Sequence, residues 1–166
     1  LLTGQLKFNA RIHLPDCAFV PVPTEKIGKR YPPVVYAVGR EKVREYAAAV
    51  GESNPLYYDL EAARAAGHDD LLAPPMFVVV YCSSAFMTAL FDPELEIDFA
   101  HLVHGAQEFR WHQLVVAGDE ITTSLSVKDI SQRAGLGFYT FESNSVNQRG
   151  QTTCVGTWST IIRGDQ

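Results

Sequence analysis

Cysteine is scarce: Cys17, Cys82 and Cys154 are the only three among 166 residues. An odd number at long, unrelated spacings reads as neither a disulfide framework nor a zinc cluster, and reduced thiols in the cytoplasm are the expected state. Positive charge is also in short supply. Lys and Arg number 14 against 19 Asp and Glu, a net charge of -5. The basic residues are scattered, so neither nucleic acid nor an acidic membrane is an expected partner, although one local patch would suffice for a phosphate-bearing carrier. The longest apolar stretch, Met76 to Leu90, is broken by Ser83, Ser84 and Thr88 and falls short of a bilayer span. No internal repeat, low-complexity tract or interdomain linker is present. Leu1 does not open a secretory signal, so the start reads as that of a processed or trimmed chain or a fragment.

With 46% of its residues apolar, a chain of this length can bury one substantial core, and one domain is expected. Pro15, Pro21, Pro23, Pro32 and Pro33 prevent a long helix at the start, so residues 1–35 read as an arm that wraps a domain of residues 36–166. From Arg40 to Val50 the spacing places Val43, Tyr46, Ala47 and Val50 on one helical face, with Gly51 as the stop. Asp59 to Ala66 reads as a short helix capped by Asp59 and stopped at Gly67. Pro74-Pro75 then opens Met76–Phe91, a helix apolar nearly all round, which predicts burial in the middle of the fold. Four strands follow, Val103–Trp111, Glu120–Ile130, Gly137–Asn147 and Thr152–Arg163, rich in Thr, Val, Phe, Tyr and Ile. Their turns fall at Gly118-Asp119, Arg133 to Gly135 and Gln148 to Gly150. A long buried helix followed by antiparallel strands able to wrap it is the element order of an α+β hot-dog fold, with the helix as filling.

Three blocks carry a family resemblance. The run Tyr46-Ala-Ala-Ala-Val-Gly51-Glu52-Ser53-Asn54-Pro55-Leu56-Tyr57 resembles the signature of MaoC-like (R)-specific enoyl-thioester hydratases, a helix ending in Gly-Asp-x-Asn-Pro-(apolar)-His. Ala62 to Gly67 and Leu71-Leu-Ala-Pro74-Pro75-Met76-Phe77 are similar to that family's short helix and the start of its central helix. Val103-His-Gly-Ala-Gln-Glu-Phe109 through Val115 to Ile121 looks like its first long strand and Gly-Asp turn. In order, the blocks cover roughly residues 36–163.

The resemblance implies a single hot-dog domain and chemistry in which an aspartate and a histidine add or remove water by general acid and base action. A backbone N–H at the start of the central helix steadies the thioester oxyanion. This chain departs from the pattern at all three places. Glu52 stands for the aspartate one methylene further out; Tyr57 stands for the histidine, with an ordinary pKa near 10 that makes a poor base. Pro75 stands for the N–H donor and has none to give. The chain therefore looks most like the non-catalytic members of the superfamily, the acyl-binding subunits of (3R)-hydroxyacyl-ACP dehydratases and the N-terminal (FAS1-type) halves of two-domain hydratases. The implied ligand is an acyl-CoA or acyl-ACP thioester held by Pro75, Met76, Phe77 and Val80. The implied partner is a second copy or a dyad-bearing hot-dog subunit.

Plainer readings stand beside these. Glu52, Asn54 and Tyr57 also suit a loop that caps the preceding helix, with Asn54-Pro55 as its turn. His101 and His104, three apart, lack the companions a metal site needs, and no cofactor motif is present. His112 reads as a partly buried strand residue and His68 as a polar loop residue. Met76, Phe77, Val80, Phe86, Met87 and Phe91 are first of all core, with an exposed edge able to line an acyl tunnel. Two other functions remain open at this point: a homodimeric binding module without turnover, and an active hydratase that works through Glu52.

Overall fold

Residues 22–163 are described by the computed structural model, so Pro15, Pro21 and Cys17 lie outside it. The first helix, α1 (Arg40–Ala49), buries Val43 and Ala47 and half-buries Tyr46. It ends where the sequence places a stop. Gly51 takes φ 75°, its N–H donates to the Ala48 carbonyl at 3.2 Å, and the Glu52 N–H donates to Ala47 at 2.9 Å. This pair of bonds satisfies carbonyls the helix would leave orphaned, and a left-handed residue is needed to form it. Val50, expected on the buried face, is instead exposed because it is the C-cap, where the chain is already turning away. In α2 (Leu60–Ala65) the Asp59 carboxylate accepts from the Glu61 and Ala62 N–H groups, the cap expected there.

Five strands form one antiparallel sheet: β1 (Val34–Ala37), β2 (Leu102–Trp111), β3 (Glu120–Arg133), β4 (Leu136–Val146) and β5 (Thr152–Ile162), in the order β1-β3-β4-β5-β2. The last four lie where alternation and turn residues put them. β1 carries too short a signal, four residues directly after Pro32-Pro33, and forms because β3 offers it a partner, Val34 opposite Thr123. Just before it, Gly28 donates to Val127 and Tyr31 to Leu125, which fastens this proline-rich stretch to β3. The Tyr31 hydroxyl and Lys29 both bind Asp92, beyond the far end of the central helix.

The expectation of a central helix apolar on every side needs correction. A 3-10 turn (Pro75–Phe77) leads into α3 (Val78–Tyr81) and α4 (Ser83–Leu90), and hydrogen bonds from Cys82 to Val78 and from Phe86 to Cys82 carry the ladder across the join. At the join, the Ser83 hydroxyl donates to the Val80 carbonyl at 2.8 Å, a side-chain bond that competes with helical pairing. Phe77, Val78, Tyr81, Ala85 and Ala89 face the sheet and are buried, whereas Met76, Ser83, Ser84, Met87 and Thr88 recur at helical spacing on an exposed face. The sheet wraps the helix from one side. Its inner positions, among them Leu125, Val127, Tyr139, Phe141, Trp158 and Ile162, complete the core.

Gly156 marks the tightest approach in that core. A Cβ there would sit 2.6 Å from Ser143 Oγ, which accepts the Trp158 indole N–H, and 2.9 Å from the Phe109 ring. Gly156→Val is expected to destabilise the fold by about 1–3 kcal/mol in urea titrations, the usual cost of overpacking. Gly39→Ala, with nothing within 4 Å and an ordinary φ, should cost only about 0.5 kcal/mol, the weaker N-cap of α1 being partly offset by the lower entropy of the unfolded chain. Equal behaviour of the two variants would show that this packing is wrong.

Candidate functional site

Glu52, Asn54 and Tyr57 share the loop between α1 and α2, and each has a different environment. Asn54 is occupied in the backbone: its Oδ1 accepts from the Leu56 N–H at 3.1 Å and starts the 3-10 turn Pro55–Tyr57. Glu52 is exposed, its N–H caps α1, and its carbonyl accepts from the Tyr58 hydroxyl at 2.7 Å. Tyr57 is buried, packed with Ala47 and Leu72. Burial pushes its phenol pKa up, the Glu52 charge adds to the rise, and the Asn54 side chain only partly opposes it. A phenol held above its already high value stays protonated at neutral pH and cannot accept a proton as a base.

Tyr46 joins this group. On the sequence it is only a residue of the α1 inner face, yet its phenol is raised first by burial and then by the charge of Glu52. Its hydroxyl donates to the Met76 carbonyl at 3.0 Å. Of the Glu52 carboxylate and the two protonated phenols, only the Tyr46 phenol touches the start of the central helix, at which Pro75 presents no N–H; the Glu52 charge acts on both phenols. The arrangement can donate hydrogen bonds, but its only group able to act as a base is the solvent-exposed Glu52.

Three of the four residues expected to hold an acyl chain divide between two cavities. Pro75 and Phe77 line one of about 340 Å³ with Ala73, Tyr81, Trp111 and Leu114. Val80 lines a second of about 340 Å³ with Tyr36, Tyr46, Ala49 and Ser83. The Met76 side chain belongs to neither and is exposed. The first cavity is the more apolar. Its wall is a two-stranded ribbon, Leu72 bridged to Val116 and the Ala73 N–H bonded to Val115, and the buried Asp119 carboxylate fixes that ribbon by accepting from the Val116 N–H at 3.0 Å. Alternation along the ribbon sends Leu72 and Val116 toward Tyr57, and Ala73 and Val115 toward the cavity. Trp111 forms part of the rim, its indole N–H donating to the Pro75 carbonyl at 2.9 Å.

Sequence reasoning missed Trp111, Leu114 and Tyr81 as lining residues, because the cavity forms where segments distant in the chain cross. Tyr81 lines it and interacts with Cys154; burial raises the Tyr81 phenol and pushes the Cys154 thiol up to about 11. Cys82 is likewise buried and raised, so neither described thiol is a nucleophile near neutral pH. Among the described residues no group of three His, Cys, Asp or Glu side chains comes together as a metal site. His101 pairs with Asp98 at 2.7 Å, and His68 is half-buried in a loop. His112, expected to be partly buried, is exposed just beyond β2, because the strand ends at Trp111. No helix among the described residues is long and apolar enough to cross a membrane.

Residues 25–155 match the FAS1-like dehydratase domain region. A UPF0336 protein of Saccharopolyspora erythraea is 40% identical over 146 residues, covering 87% of this chain and 94% of its own length. Another, from Clavibacter michiganensis, is 42% identical over 147 residues, covering 88% and 99%. Among solved structures, the C-terminally truncated HadBC (3R)-hydroxyacyl-ACP dehydratase complex of Mycobacterium tuberculosis superposes with a TM-score of 0.72 at 27% identity, over 84% of this chain and 98% of that one. A MaoC-like dehydratase superposes with a TM-score of 0.76 at 24% identity, over 85% of this chain and 43% of that one, which shows the shared hot-dog fold.

Proposed function

From a chain that belongs to the FAS1-like dehydratase family, we propose an acyl-thioester-binding subunit of a (3R)-hydroxyacyl-thioester dehydratase or enoyl-thioester hydratase, one that does not itself supply the acid-base pair. The observation that carries this reading is the state of Tyr57: a buried phenol, raised in pKa, stands where a base is required. Pro75 removes the nearby oxyanion donor, and Asn54 is bound up in capping. What remains is apolar space at the start of the central helix, suited to an acyl chain. The dyad then comes from a second hot-dog subunit; the HadBC complex is one assembly of two different dehydratase subunits. Buried, free Cys82 and Cys154 suit a reducing cytoplasm. CoA and acyl carrier protein are equally compatible carriers.

Acyl thioesters are expected to raise the melting temperature of the chain, and to raise it more as the acyl chain lengthens until the cavity is filled. Saturation at a hundred times Kd corresponds to about 2.7 kcal/mol, well within reach of a thermal-shift assay. Free coenzyme A should give little shift. Equal shifts from coenzyme A and its acyl esters would take the acyl chain out of the interaction and sink the proposed ligand class.

A further inference from the structure

The outer face of the sheet carries a recess that belongs to neither cavity at the central helix. Ser124 and Ser126 on β3, with Glu142 and Asn144 on β4, alternate with the buried Thr123, Leu125, Ser143 and Ser145, so their side chains point away from the helix. Ser124 lies opposite Asn144, and Ser126 opposite Glu142. These residues floor a recess of about 500 Å³, and Arg30, Tyr31 and Pro33 line its side. A backbone irregularity makes that side. From Val34, opposite Thr123, back to Arg30, opposite Ser126, the chain takes four steps where β3 takes three. The extra residue is a bulge in a stretch where Pro32 and Pro33 have no N–H for the ladder, and a bulge at a sheet edge re-aims the side chains beside it.

The recess is rich in unengaged donors. Lys26 and Lys29, the other cations of this stretch, are bound by Asp92 and Glu94, whereas Arg30 pairs with no carboxylate among the described residues. The side chains of Ser124, Ser126 and Asn144 likewise make no hydrogen bond among the described residues. The one anion in the recess, Glu142, is held by Lys128 at 2.8 Å, so its charge is matched.

We propose that this recess binds a small phosphate ester, its phosphate held by the Arg30 guanidinium, the Ser124 and Ser126 hydroxyls and the Asn144 amide. A guanidinium fork alone satisfies a carboxylate; three further donor groups beside it suit an anion with more oxygens to occupy. The volume also exceeds that of a bare phosphate and leaves room for a small organic group against Pro33. The site is separate from the apolar cavity. It opens on the outer face beside β1, at one edge of the sheet, whereas Trp111 of the cavity rim belongs to β2, at the other. A thioester seated in that cavity therefore does not account for the recess.

Nuclear magnetic resonance titration of the isotope-labelled full chain tests this, with glycerol 3-phosphate and inorganic phosphate as probes and sodium chloride at matched ionic strength as the control. Glycerol 3-phosphate should move the amide signals of Arg30, Ser124, Ser126 and Asn144 saturably, with a Kd on the order of 1 mM or tighter. Arg30→Gln should weaken binding about tenfold or more, and Arg30→Lys should recover only part of it, since an ammonium replaces the fork. Arg30 is exposed and joined to no carboxylate, so both variants should keep the wild-type melting temperature. Asn144→Ala, on a different strand, should also weaken binding. Inorganic phosphate that matches the ester makes the phosphate group itself the ligand, and a tighter ester brings in the organic part; either result supports the site. Signals moved equally by sodium chloride, signals moved around Trp111 and Leu114 instead, or binding undiminished in Arg30→Gln would each overturn the proposal.

Discussion

Alone in solution, the purified chain is expected to show little or no hydration of trans-2-enoyl thioesters, and addition of a hot-dog homologue carrying the Asp/His dyad should restore or raise the rate. The scale follows from what is missing. Positioned acid-base catalysis contributes about 10²–10⁴-fold and one oxyanion donor about 10²–10³-fold; the two need not multiply, but either loss alone is unmistakable. Glu52→Gln and Tyr57→Phe should leave the reconstituted rate nearly unchanged, because Glu52 faces solvent and Tyr57 packs against Ala47 and Leu72. The triple change Glu52→Asp, Tyr57→His, Pro75→Gly should raise the rate of the chain alone, since the loop backbone is already fixed by the bonds of Gly51, Glu52 and Asn54. Ordinary hydratase turnover by the wild-type chain, abolished by Glu52→Gln, would make Glu52 the working carboxylate and end the non-catalytic reading.

Phe77→Ala is expected to be the most damaging single truncation at the site, at about 3–5 kcal/mol. Phe77 is 1% exposed and packs edge-on against Tyr36 and Tyr46, with centroids 6.2 and 5.5 Å away, and its ring also meets Tyr81. Truncation would leave a void beside an existing cavity and strip three aromatic partners of a neighbour. For a domain of this size the melting temperature should fall on the order of 10 °C. Met76→Ala, one residue earlier and 42% exposed, should change stability by no more than about 0.5 kcal/mol. Chemical denaturation of both variants checks the contrast. Similar losses at the two positions would mean that the helix is rotated relative to the sheet.

How much was legible in the chain depends on how local the cause was. The end of α1 could be read because one glycine and its neighbours complete the cap, and the start of α2 because Asp59 caps it unaided. The four later strands could be read from alternation and turn residues. The exposed face of the central helix could not. Met76 and Met87 are apolar residues turned to solvent, and a periodicity argument assigns every apolar residue to the interior. Trp111 was equally opaque, since its role comes from a bond to Pro75, 36 residues earlier. Tyr46 was read as packing alone, because its link to Met76 crosses 30 residues of chain.

The strand order bears on how the chain is made. β5 sits between β4 and β2, so β2, ending at Trp111, has no strand to bond with until β5, ending at Ile162, has left the ribosome. At about 5–20 residues per second, the roughly 50 intervening residues take about 3–10 s to synthesise. Throughout that interval the nascent chain carries the apolar ends of β2 uncovered. A ribosome stalled between β4 and β5 would therefore display an unpaired strand beside exposed aromatic rings, the kind of surface that binds chaperones or aggregates.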